Sequence, residues 1–189
     1  MYTNYILSVA LGISLSACCG FRVFTPMLLA GIAAKLGWLE VSTGFEWMAT
    51  YPAIIAFAVA ATFEILAYYI PVVDNFLDTI ATPSAVIAGT VISASVFVHF
   101  DPMLKWLLAI IAGGATAGLI QAGTGLLRLG STKFTAGTGN HILATAENFF
   151  SFACTIFSFV VPVLMAVLFT GTIGAILYYF VAKKKRATS

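Results

Sequence analysis

Charge is scarce in this chain. Charged residues make up 8% of its 189 positions, against about a quarter in soluble domains, which excludes a water-facing globular surface. The net charge is only +2, so no broad basic face is present for nucleic acid. Cysteine is limited to Cys18, Cys19 and Cys154, all inside apolar runs and without metal-type spacing. They read as small packing residues rather than as a disulfide framework. No catalytic triad, thiolate site or metal-ligand cluster stands out, and no cofactor is expected.

Apolar residues fill the space that charge leaves. Hydrophobic residues account for 61% of the chain and the mean hydropathy is +1.03, the signature of an integral membrane protein. The apolar runs are continuous rather than alternating, so the spanning elements are helices and not barrel strands. Residues 1–189 form one integral membrane domain with a basic tail at 183–189. Leu15-Ser16-Ala17-Cys18 has the form of a lipid-attachment box, but Met1 to Tyr5 carries no Lys or Arg. The first run is therefore expected to remain as a membrane helix.

The hydropathy predicts an all-α, polytopic transmembrane bundle of about seven segments, some short or broken. Ile6–Cys19 and Val23–Trp38 come first, and each is short of the roughly 20 residues a span needs. They are either abbreviated tilted helices or a re-entrant pair folded around Arg22. A polar connection at 39–50 holds Glu40 and Glu46. Tyr51–Ile70, Ser84–Phe100 and Met103–Leu127 follow, separated by Pro71–Pro83 and by His99-Phe100-Asp101-Pro102. Phe149–Ala182 counts as two more segments, turning near Pro162 or Gly171.

Pro71 to Pro83, PVVDNFLDTIATP, is the most polar run between two spans. As a helix it places Asn75, Asp78, Thr79 and Thr82 on one stripe, with Asp74 one turn before Asp78. Pro83 disfavours helix at Thr82, which predicts a separate element of about three turns, roughly 15 Å. Such an element either lies at the membrane boundary or lines a polar interior. His141, Thr145 and Asn148 repeat the pattern, with Glu147 beside them. Glu64 sits well inside Tyr51–Ile70, where a carboxylate is costly and should be protonated or paired. Arg22 is expected to meet Asp74 or Asp78. Gly114 and Gly118, one turn apart, predict a close helix crossing.

Lys183 to Arg186 marks a cytoplasmic C-terminus. Seven segments then put the N-terminus outside, with Arg22, Asp74–Asp78, Arg128 and Lys133 on the inner side. The expected location is a bacterial plasma (inner) membrane. Phe21-Arg-Val-Phe24-Thr-Pro26-Met27-Leu28 recurs as Phe97-Val-His-Phe100-Asp-Pro102-Met103-Leu104, and Asp74-Asn75-Phe76 as Glu147-Asn148-Phe149. This suggests an internal repeat.

Ser16-Ala17-Cys18-Cys19-Gly20-Phe21-Arg22-Val23-Phe24 with Pro26, then Glu64-Ile65-Leu66, then Pro71-Val72-Val73-Asp74-Asn75-Phe76-Leu77-Asp78, resembles a bacterial family of small integral membrane proteins catalogued only as a domain of unknown function. The resemblance implies that Arg22, Glu64, Asp74, Asn75 and Asp78 belong to a family pattern, and it carries no activity with it. The residues themselves favour a small transporter or channel for a small solute or cation. Its polar path would draw on Arg22, Glu64, Asp74, Asn75, Asp78, His141, Glu147 and Asn148. A membrane scaffold is the alternative, and a magnesium-dependent enzyme acting on a lipid diphosphate ranks below both. The partners expected are the lipid bilayer and a small solute or ion, with a possible homo-oligomer.

Overall fold

The structure is a computed structural model that describes residues 2–135 and 139–187, without the side chains of 2–4, 71–76, 78, 177, 180, 181 and 183–187. Among the described residues it is a bundle of helices: α1 (Tyr2–Cys19), α2 (Phe24–Lys35), α3 (Tyr51–Ala67), α4 (Pro71–Val96), α5 (Pro102–Leu108), α6 (Ala115–Thr135), α7 (Asn140–Val160) and α8 (Pro162–Ala187). A π-helical turn, Ala109–Gly114, joins α5 to α6. The two therefore act as one helix, and the described residues form seven continuous helical segments, as the hydropathy predicts. Three stretches are long and apolar enough to cross a membrane: Thr79–Val96, Pro102–Thr135 and Asn140–Val160.

Segment boundaries follow local chemistry. Thr50 caps α3 by accepting the Ala53 N–H at 3.4 Å, and Asp101 caps α5 by accepting the Met103 N–H at 2.9 Å. Each cap is followed by a proline in the first turn, where the missing N–H costs nothing. α2 ends at Gly37, whose φ of 73° lets the Trp38 N–H reach back to the Ala33 carbonyl at 2.9 Å. A side chain there would strain that left-handed turn. Of the two turns open for the last segment, the chain takes Pro162, where α8 begins.

Two expectations are corrected. Pro83 does not end a helix, because α4 runs unbroken from Pro71 to Val96. Proline deletes a single backbone hydrogen bond, whereas stopping the helix in an apolar bundle would expose several polar groups, so continuing costs less. Asp74, Asn75 and Asp78 thus lie in the first turns of a long helix rather than on a separate three-turn element. Likewise the stretch 128–140, whose polar residues and glycines read as a break between helices, is helical as far as Thr135, where α6 ends, and α7 starts at Asn140. His141 to Asn148 forms the opening turns of α7.

α1 lies at the centre, antiparallel to α4. Tyr5 meets the Phe100 ring edge-on at 5.1 Å, while Ser16 bonds the Gly89 carbonyl at 3.0 Å. The turn after α1 is deep. Gly20 packs on Ile120 and the Ala117 carbonyl, and from that level α6 continues for about 15 more residues, roughly 22 Å. α2 spans about 18 Å, well short of a hydrocarbon core near 30 Å. The two helices of 6–38 form a hairpin whose tip is Arg22, packed against the middle of α6.

α7 shows why the bundle holds together in lipid. Ala144, Glu147, Ser151, Thr155 and Ser158 are buried, whereas Phe149, Phe150, Phe152 and Phe157 face outward. Small and polar residues mediate helix contact, and bulky apolar ones meet the bilayer. Cys18 and Cys19 are free and fully buried.

Candidate functional site

The hairpin tip delivers Arg22 into the bundle with 1% of it exposed. Its Nε donates to Asn148 Oδ1 and its Nη2 to the Ala144 carbonyl at 3.1 Å. That nitrogen also lies 3.2 Å from Glu147 Oε2. Arg128, brought inward by α6 and equally buried, donates Nε to Glu147 Oε1 at 3.1 Å and pairs through Nη2 with Oε2. One carboxylate thus serves two guanidiniums. The Tyr68 ring, at the end of α3, packs against both, with centroids 3.9 Å from Arg22 Cζ and 4.2 Å from Arg128 Cζ. Charge pairing, hydrogen bonds and cation–π contact together offset the desolvation of these groups.

Glu64 is held differently. Its Oε1 accepts the Val23 N–H at 2.8 Å and its Oε2 the Phe24 N–H at 3.0 Å. These are free donors at the start of α2, which has no side-chain cap of its own. A carboxylate on α3 therefore caps α2 and complements its positive dipole end. The pairing expected for Glu64 is with backbone.

A cleft of about 290 Å³ opens beside this cap, between the hairpin tip, α3, α4 and α6. Its walls are mostly apolar, with Glu64, Tyr68, Ser84 and Gln121 as polar points. Tyr68 thus contributes to the cleft and also covers the two arginines.

Arg22, Glu147 and Asn148 meet in one cluster, and Glu64 lies beside it through Val23. Arg22 finds its hydrogen-bond and ion-pair partners on α7 and its aromatic partner, Tyr68, at the end of α3. The side chains of Asp74, Asn75 and Asp78 lie outside the described residues. His141 is peripheral: it stacks on Tyr69 with centroids 5.9 Å apart. Gly114 faces Thr90 and Val86 of α4, and Gly118 faces Val86. Sequence reasoning missed Arg128, Tyr68 and Gln121 as site residues. The signal for Arg128 and Gln121 is the inward stripe Ala117, Gln121, Thr124, Arg128 on α6. Tyr68 at the end of an apolar run looks like any interfacial aromatic.

The other end of the bundle is tied by Lys105, which donates Nζ to Ser42 Oγ at 2.8 Å. The Ser42 N–H in turn bonds the Ser95 carbonyl at 2.7 Å. These contacts pin the 39–50 connection onto α4 and α5.

Apolar helices around a buried polar cluster define a polytopic helical membrane protein. Residues 9–182 match the family described as Domain of unknown function (DUF4126), and the chain belongs to that family. No curated protein and no solved structure matches it.

Proposed function

We propose that this protein is a transporter for a small solute, and that the cleft beside Glu64 is where the solute sits. The observation that carries this reading is the cleft itself. About 290 Å³ of space reaches buried Gln121 and the Glu64 cap within the bundle. Cavities of this size with a few convergent polar groups are the usual form of a small-molecule site. Polar and ionisable groups kept inside a membrane protein by default indicate a solute or ion path.

Glu64 is the charged group among the lining residues. It favours a cationic or hydrogen-bond-donating solute with an apolar body. The Arg22–Glu147–Arg128 cluster behind Tyr68 fixes the hairpin tip that forms one wall.

The test is flux. Purified protein in proteoliposomes would be challenged with a panel of small organic cations and neutral amides, with and without a pH gradient, and currents or uptake recorded. At least one solute should move faster than through empty vesicles. Gln121→Leu, which replaces the amide in the cleft wall by an apolar side chain of similar size, should lower that flux at least tenfold. A panel with no protein-dependent flux, or flux indifferent to Gln121→Leu, would sink the proposal.

A further inference from the structure

The contact between α1 and α4 is reciprocal. Ser16 Oγ lies 3.0 Å from the Gly89 carbonyl oxygen and 2.7 Å from the Gly12 carbonyl of its own helix, and Ser93 Oγ lies 3.0 Å from that same Gly12 oxygen. The two hydroxyls meet each other at 2.6 Å. Gly12-x-x-x-Ser16 and Gly89-x-x-x-Ser93 are therefore equivalent, with Ser16 and Ser93 77 residues apart. A pattern in which the first element contacts the second as the second contacts the first is the mark of a local two-fold axis. Because the helices are antiparallel, such an axis lies in the membrane plane.

Sequence beyond the crossing obeys the same relation. Phe21, Phe24 and Pro26 correspond to Phe97, Phe100 and Pro102 at a spacing one residue shorter. In both copies the helix stops at this motif, and a new helix starts across the proline. The break after α1 and the break after α4 sit at opposite ends of the bundle, as inversion requires.

The cavities follow suit. The Glu64 cleft is bounded by Val23 and Phe24 of the first break and by Leu77, Ile80, Ala81 and Ser84, from the first turns to the middle of α4. A second cleft, about 470 Å³, is bounded by Val98 and His99 of the second break and by the N-terminal half of α1, including Leu7 and Ser8. Its further walls carry Glu40 and Trp38. Each cleft thus joins one copy's break to the other copy's first half. Ser16 and Ser93, at the crossing of α1 and α4, are fully buried.

We infer that α1 and α4, each with its break, are inverted copies, and that the His99–Glu40 cleft is the second mouth of the solute path, opening to the opposite membrane face. The inference rests on the transport reading for the word solute, and on geometry alone for the two mouths. Inverted repeats exchange conformations by rocking about their shared axis, which makes the protein a carrier with alternating access rather than an open channel.

Two conservative variants test it, Ser8→Cys in the second cleft and Ser84→Cys in the first. Native Cys18 and Cys19 are fully buried and Cys154 is half-buried, so the parent protein serves as the labelling blank. In vesicles of fixed orientation, a membrane-impermeant maleimide should label Ser8→Cys from one side and Ser84→Cys from the other. Labelling of both from the same face, or of neither from either face while lysed vesicles react, would overturn the two-mouth geometry even if flux is measured. A bulky maleimide on Ser8→Cys should cut flux at least tenfold. Unchanged flux through labelled protein would refute the second mouth while leaving the transport reading intact. Absent flux with opposed labelling would refute transport and keep the inverted fold. Where Ser8→Cys fails to fold, Leu7→Cys, more exposed on the same wall, takes its place with the same outcomes.

Discussion

Arg22 and Arg128 share the carboxylate of Glu147, and this sharing sets an order among their variants. Glu147→Ala removes the carboxylate that both buried guanidiniums contact, whereas Arg22→Ala leaves Glu147 still held by Arg128. Breaking a buried pair from one side costs roughly 3 to 5 kcal/mol. Glu147→Ala should therefore reach or exceed that range, and Arg22→Ala should fall below it. Unfolding of the purified protein in detergent measures both, and a Glu147→Ala variant milder than Arg22→Ala would show that the carboxylate does not bridge. In the Arg22/Glu147 double-mutant cycle the two effects should couple by about 0.5 to 3 kcal/mol. Arg22, Glu147 and Asn148 were each legible as costly groups in an apolar chain. Their meeting was not, because Arg22 and Asn148 lie 126 residues apart and nothing local encodes the contact. Arg128 was hidden by its neighbours: Lys133 with Gly130, Gly137 and Gly139 gives 128–140 the composition of a loop, yet α6 carries Arg128 inward.

Elements in this protein are finished by other elements. α2 begins without a cap of its own and takes one from Glu64 on α3. Glu64→Ala should release two backbone donors into the apolar wall of the cleft at about 1 to 3 kcal/mol. Glu64→Gln keeps one acceptor oxygen and should recover part of the loss. Equal melting temperatures for the parent and Glu64→Ala would remove the cap from the account. The α4 crossing gives a second prediction. A Cβ on Gly113 would lie 2.6 Å from the Gly89 carbonyl oxygen, and one on Gly114 would lie 2.6 Å from Thr90 Oγ1. Gly113→Leu and Gly114→Leu should each destabilise the bundle by roughly 1 to 3 kcal/mol or more through overpacking. Gly123→Ala, with nothing near its Cβ position, should be neutral or gain up to about 1 kcal/mol in helix propensity. Glycine spacing made a close crossing on this segment legible. The continuation of α4 through Pro83 was not, because the expectation weighed one proline against local preference. It left out the cost of ending a helix where no water can take up the freed groups.

At the scale of the whole molecule, the count of seven helical segments was legible because hydropathy is a long-range average that single residues barely disturb. The depth of the Arg22 tip was not, since it depends on how far α6 outruns α1. Sidedness follows from where the helices place charge. Arg22, Arg128, Lys133 and the Lys183–Arg186 stretch of α8 fall at one end of the bundle. Lys35 and Lys105 fall at the other, beside Glu40, Glu46 and Asp101. α8 runs parallel to α1: Ala166 and Val167 line a cavity with Val9 and Ala10, and Phe169 reaches Phe21 at the tip. Its C-terminus therefore points to the Arg22 end, while α1 starts at the opposite one. The excess of Lys and Arg flanking membrane helices stays on the cytoplasmic face, whereas acidic residues contribute little to orientation. On that bias we propose a cytoplasmic tail and an external N-terminus, and the proposal is the same whether the α1–α2 hairpin spans or turns back, because a hairpin returns the chain to its starting side either way. Thr3→Cys should react with an impermeant maleimide in intact cells, and Thr188→Cys only after lysis. Reaction of Thr188→Cys in intact cells would invert or abolish the assignment, and with it the assignment of the Glu64 cleft to the cytoplasmic half.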